Sequence, residues 1–194
     1  MYIKRIDQTA VSGGIKNSCV GKEFMFIFAK IDLMKENLKE IIPGKGLGTL
    51  RFGLSRDEVK AMLGAPTDTE RYTLSDEDCD TTEAWHYDEL QLSLSFDEEY
   101  DWKLSSIAVS SEEYTLEGQS LIGRKKGDIL QEFEKRQWGE PEEDEEVRED
   151  NPDNCLIHID KGSMSLWFEN DELTELQIGP FFKNEEILWP GQEN

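Results

Sequence analysis

At 194 residues the chain can bury a real core, as one domain or as two small units in tandem, and its 37% apolar content is that of a globular protein. Its 43 Asp and Glu against 21 Lys and Arg give a formal charge of −22, a field that repels nucleic acid and anionic membrane surfaces and leaves a basic protein as the favoured macromolecular partner. Cys19, Cys79 and Cys155 are odd in number and widely separated, which argues against a disulfide framework or a zinc site and fits a reducing cytoplasm.

Residues 1–33 lack clear periodicity and read as an irregular or disordered arm. Their one apolar run, residues 24–29, is far below the roughly 20 residues of a membrane span. Lys30 and Asp32 interrupt before any cleavage site, and no Cys stands where a lipoprotein anchor needs one, so neither a signal peptide nor an anchor is expected. Met34, Leu38 and Ile41 recur at i, i+4, i+7 ahead of Pro43 and Gly44, which predicts a short helix.

The best-defined stretch reads GLGTLRFGLSRDEVKAMLGAP over residues 46–66. Ser55 and Glu58 form a capping box, Leu54 and Val59 a hydrophobic staple, and Val59, Met62 and Leu63 one apolar face. Gly64 supplies a left-handed cap and Pro66 forbids continuation. An acidic loop follows over residues 67–82, in which Asp76, Asp78 and Asp80 alternate like the start of a calcium loop. Thr81 stands where that motif needs Gly and Tyr87 where it needs Glu, so a solvated loop is expected and no metal.

From Ala84 the period changes to two. Residues 84–87 and 90–96 read as half-buried strands joined at Asp88-Glu89, pairing Tyr87 with Leu90 and Trp85 with Leu92, with a third strand over residues 104–110. The pattern then recurs: residues 84–97 align without a gap on 156–169, matching His86 with His158, Ser93 with Ser165 and Phe96 with Phe168, while Val59 matches Ile129 and Leu63 matches Phe133. A second helix is predicted over residues 126–138, and residues 140–153, lacking any apolar face, as a disordered loop. The expected fold is therefore α+β: two tandem helix plus three-stranded antiparallel meander units, with helices on one face of the sheet and the other face open. The expected layout is a first unit in 34–111 with its preceding short helix, a second in 112–180, and an apolar tail, 181–194, that packs back on the body.

Gly46-x-Gly48, Arg51-Phe52-Gly53-Leu54-Ser55-Arg56-Asp57-Glu58-Val59 and Leu63-Gly64-x-Pro66 resemble the entry of the SmpA/OmlA (BamE-type) repeat, which also occurs in tandem in β-lactamase-inhibitor-protein-like domains. The match is specific over about twenty residues of the first copy and loose in the second, where Lys125 replaces Ser55. The resemblance implies a binding module, either an outer-membrane assembly protein or an inhibitor acting through the open sheet face and its hairpin loops.

Candidate contact residues follow from that face. His86 and His158 occupy equivalent strand positions, and with no nucleophile motif beside them they read as polar strand residues and not as catalysts. Trp167 should project beside Ser165 and Gln177 as an exposed anchor, unless the tail covers it. Tyr100, Asp101 and Trp102 lie in an acidic hairpin able to enter a basic cleft. The expected function is an acidic cytoplasmic binding protein without cofactor or metal, of immunity or inhibitor type, occluding a basic enzyme such as a nuclease toxin. The alternative is an assembly scaffold of the SmpA/OmlA type.

Overall fold

The computed structural model of the chain describes residues 36, 38–73, 81–184 and 186–191. The described chain opens with β1 (Glu40–Ile42), β2 (Gly46–Leu47), β3 (Leu50–Arg51) and α1 (Arg56–Leu63). An antiparallel ribbon follows, of β4 (Asp68–Thr73), β5 (Thr81–Tyr87), β6 (Leu92–Asp97) and β7 (Lys103–Val109). Next come β8 (Thr115–Leu116), β9 (Gln119–Ser120), α2 (Lys126–Arg136), β10 (Glu142–Glu143) and α3 (Glu145–Asp150). A second ribbon, β11 (Asn154–Ile159), β12 (Met164–Glu169) and β13 (Glu172–Ile178), leads to a terminal hairpin of β14 (Phe181–Lys183) and β15 (Glu186–Leu188).

The long alternating strands merge into one eight-stranded antiparallel sheet, in the order β10-β11-β12-β13-β7-β6-β5-β4. Its seam is β13 against β7, where Leu176, Gln177 and Ile178 face Val109, Ala108 and Ile107. One side of this sheet packs on α1 and α2: Val59, Leu63, Ile129 and Phe133 join Leu94, Phe96, Ile107, Leu166, Phe168 and Leu176 in a single buried cluster. The α1 cap forms as the sequence requires, with Ser55 Oγ accepting from the Glu58 backbone N–H and the Glu58 carboxylate accepting from the Ser55 N–H. Gly64 ends the helix at φ 86° and ψ −166°, a conformation reserved for glycine but not the left-handed cap expected.

The expected tandem α+β arrangement is overturned by this architecture, which is mostly β-sheet and divided among three sheets. Beyond the eight-stranded sheet, β3-β2-β1-β8-β9 form a five-stranded one in which β1 runs parallel to β8, so segments far apart in the chain interlock. These added strands are two or three residues long, too short for any alternation to reveal.

Other expectations are corrected for local reasons. Ile41 lies in β1, where it pairs with Leu47 and Leu116, and not in a helix. Residues 68–73 form the outer strand β4 in place of the expected loop, while Asp76, Asp78 and Asp80, like residues 1–33, lie outside the described residues. The turn after β5 is a 3-10 turn, Asp88–Leu90, closed by left-handed Gln91, so Tyr87 pairs with Leu92 and Trp85 with Leu94. A shift of two residues leaves every side chain on its expected face, which is why alternation cannot detect it. The acidic stretch 140–153 contributes β10 and α3, the latter capped by Asp144, whose carboxylate accepts from the Glu146 and Val147 N–H groups.

Candidate functional site

The side of the large sheet away from α1 and α2 is not bare. The register places one residue from each of the eight strands in a single transverse row: Glu142, His158, Ser165, Gln177, Ala108, Ser93, His86 and Asp68. The two end residues are exposed and the six between them half-buried. Directly opposed residues share a face, so the row is continuous: two carboxylates at the rims, two histidines inside them and small polar groups between.

Each histidine is held by the serine opposite it. His86 Nδ1 lies 2.9 Å from Ser93 Oγ, and His158 Nδ1 lies 3.0 Å from Ser165 Oγ. These distances match a nucleophile–base pair, yet both serines sit in mid-strand with their neighbours' amides engaged in the ladder, so no pair of free backbone N–H groups converges on either hydroxyl among the described residues. The histidines are five interstrand steps apart, roughly 24 Å along the sheet at about 4.8 Å per step. The His86 Nε2 atom is buried and has no hydrogen-bond partner among the described residues. Gln177 Nε2 donates to Ser106 Oγ at 2.8 Å, fixing the amide in the row's centre.

At one end the face deepens into a groove of about 840 Å³. Its floor is His158, Ser163, Ser165, Gln177 and Ser106, and its far wall the β14–β15 hairpin with Phe181, Phe182, Ile187 and Leu188. Phe182 and Leu188 are 54% and 46% exposed. The hairpin is anchored at both ends. Gly44 bridges to Pro180 so closely that a side chain there would enter the Phe181 ring, and Trp189 packs on Gly53 and edge-on to Tyr100, with ring centroids 6.1 Å apart. The β14–β15 hairpin thus lies against the groove end of the face, in a lining that does not include Trp167.

Trp167 lies in the adjoining row, half-buried on the same face, directly opposite Glu175. Burial raises the Glu175 carboxyl above its ordinary value, opposed by the proximity of His86. Leu156 shares that row at 6% exposure. Of the predicted contact residues, then, His86, His158, Ser165, Trp167 and Gln177 are brought onto one face, and Tyr100 lines the groove beside Asp97. Trp102 is not: its ring is stacked under the guanidinium groups of Arg56 and Arg71 at 4.5 and 5.5 Å, beside buried Glu83. Asp101 is exposed at the hairpin tip in a left-handed conformation. Sequence reasoning missed Glu175, although alternation from Gln177 puts it on the same face and it pairs with Trp167 in regular register ahead of the bulge, and it missed Ser106 as a partner of Gln177 because their pairing spans 71 residues.

Among the described residues no cluster of His, Cys, Asp and Glu could hold a metal ion, and no helix is long and apolar enough to cross a membrane. No family model matches the chain, and no curated protein matches it. Among solved structures the chain is similar to an extracellular protein containing an SCP domain from Bacillus anthracis str. Ames. The TM-score is 0.39 and the identity 15%, over 73% of this chain and 50% of that one. The chain thus spans about half the length of that protein, and at that TM-score the likeness bears on neither fold nor activity.

Proposed function

We propose that the protein is an acidic binding module of inhibitor or immunity type, which neutralises a basic enzyme or toxin by occluding it with the row-bearing face of the large sheet. The observation that carries this reading is the continuous half-buried row ending in the apolar-walled groove, on a chain of net charge −22. A sheet face of Ser, Gln, Ala and His is rigid, because each histidine is pinned by its serine, and small enough in side-chain volume to admit a protruding partner element. Rim carboxylates and overall charge speed encounter with a cationic surface, while the groove and Trp167 supply the desolvated contacts that hold it. The SmpA/OmlA and β-lactamase-inhibitor-like resemblance of residues 46–66 is in keeping with this role.

The test is affinity capture from the source organism at about 50 mM salt, where the Debye length exceeds about 10 Å. A basic protein whose enzymatic activity falls on binding, released by rising salt and not retained by Gln177→Arg, is the expected result. The rival reading, an assembly scaffold, is favoured by the exposed Phe182 and Leu188. Capture that resists salt, ignores Gln177→Arg and disappears in the Phe182→Asp, Leu188→Asp double variant would establish it instead.

A further inference from the structure

Trp167 and Glu175 are a directly opposed pair across β12 and β13, so their Cβ atoms are about 5 Å apart on the same half-buried face. No hydrogen bond or ion pair joins the Glu175 carboxylate to any described residue, whereas in the neighbouring row His86, His158 and Gln177 each have a side-chain partner in Ser93, Ser165 and Ser106. Glu175 stands one row away from His86, whose own row reaches β13 through the small Ser93 and Ala108. This row and the adjoining residues Leu156, Trp167 and Glu175 contain no Lys or Arg. Trp167 and the partly desolvated Glu175 carboxylate therefore stand side by side on this face, with no Lys or Arg of these rows against them and His86 as the one charged neighbour that acts on the carboxylate among the described residues.

We infer that Trp167 and Glu175 form a subsite for an arginine side chain of the partner. A planar guanidinium can stack on the indole while donating two parallel N–H bonds to the carboxylate, which a lysine ammonium cannot do in one geometry. The inference rests on the docking function proposed above and names the group that the face selects. Charge complementarity supports this occupant: the chain carries 22 more carboxylates than cations, and Glu175 is an acid whose charge burial disfavours until a cation arrives.

The probe is the tripeptide Ac-Gly-Arg-Gly-NH2, with citrulline and lysine in place of arginine as controls, followed by the indole N–H resonance of Trp167 assigned through Trp167→Phe. The expected result is a saturable shift confined to Trp167, absent with the citrulline peptide, weaker with lysine, and shifted about tenfold to higher peptide concentration by Glu175→Gln, equivalent to about 1.4 kcal/mol. Because Glu175 is unpaired, Glu175→Gln should fold at least as well as the parent, and Glu175→Ala provides a second variant. Equal response to citrulline, preference for lysine, or indifference to both Glu175 variants would overturn the subsite. Retention of a basic partner that is lost on Gln177→Arg but unaffected by Glu175→Gln would overturn the subsite while leaving the docking function standing.

Discussion

Gln177 donates from Nε2 to Ser106 Oγ across the junction of β13 and β7, joining side chains 71 positions apart in the chain. Only three residue pairs make this junction, but Ile107, Val109, Leu176 and Ile178, each no more than 2% exposed, line its underside and belong to the one continuous core. The two ribbons thus share one core and should unfold together. Truncating Ile178 to Ala should cost about 2–5 kcal/mol, since a cavity opens between both halves. Unfolding by urea, followed by tryptophan fluorescence and by far-ultraviolet circular dichroism, should give coincident single transitions for parent and variant. Two separate transitions would show the halves to be independent.

On the helix side, Glu83 is 8% exposed and accepts from four donors: Trp85 Nε1 at 2.6 Å, Arg56 Nη1 at 3.0 Å, and Arg71 Nε and Nη2 at 2.8 and 2.5 Å. Burial alone would raise its pKa, but the bonds from Trp85 and Arg71 and the charges of Arg56 and Arg71 outweigh it and hold the carboxyl below its ordinary 4.5. A depressed carboxyl contributes stability that is fully present above its unfolded pKa and is lost as the pH falls through its folded value. Both arginines keep partial access to water, so Glu83→Gln should cost about 1–3 kcal/mol near neutrality, and the gap between parent and variant should close below pH 4.5. Urea titrations at several pH values measure it. A gap that widens in acid would refute the assignment.

Two glycines separate crowding from backbone conformation. At Gly46, φ is +133° and an added Cβ would lie 2.1 Å from the Leu50 carbonyl oxygen inside the β2–β3 hairpin, whereas at Gly64, φ +86°, nothing lies within 4 Å. Gly64→Ala should therefore cost only the strain of a backbone conformation that non-glycine residues avoid, about 1–3 kcal/mol. Gly46→Ala must also displace backbone and should cost clearly more, with loss of the five-stranded sheet. Equal losses in thermal or urea denaturation would mean that crowding at Gly46 is relieved cheaply.

How far the sequence could be read depended on element length and on partners. Ser55, Glu58, Val59 and Gly64 announce α1 because capping and periodicity are encoded within a dozen neighbouring residues. The alternation of residues 92–97 and 164–169 likewise assigns faces correctly, so His86, His158, Ser165, Trp167 and Gln177 could be placed on one side before any coordinates. What alternation cannot convey is where strand edges go. The pairing of β13 with β7, the two-residue strands and the parallel contact of Glu40–Ile42 with Thr115–Leu116 depend on residues distant in sequence. Nor could it foresee that Trp102 would be held beneath Arg56 and Arg71, because the aromatic and both cations look like surface residues until β4 and α1 converge on Glu83.

The start of α2 is the weakest local feature and should be the easiest to improve. Lys125 occupies the N-cap with no side-chain hydrogen bond, and Gly127 sits in the first turn with ordinary helical backbone and open space where a Cβ would go. Lys125 does reach Glu172 at 3.1 Å, but both side chains are more than half exposed, so that ion pair contributes little. Replacing Lys125 by Ser supplies an acceptor for the orphan amides and should gain about 0.5–1 kcal/mol. Gly127→Ala should add about 0.4–1 kcal/mol by narrowing the unfolded ensemble. The two sites lie within one helical turn, so their gains need not sum. Denaturant midpoints of the single and double variants decide the matter. A loss in Lys125→Ser would mean that the Glu172 contact outweighs the missing cap.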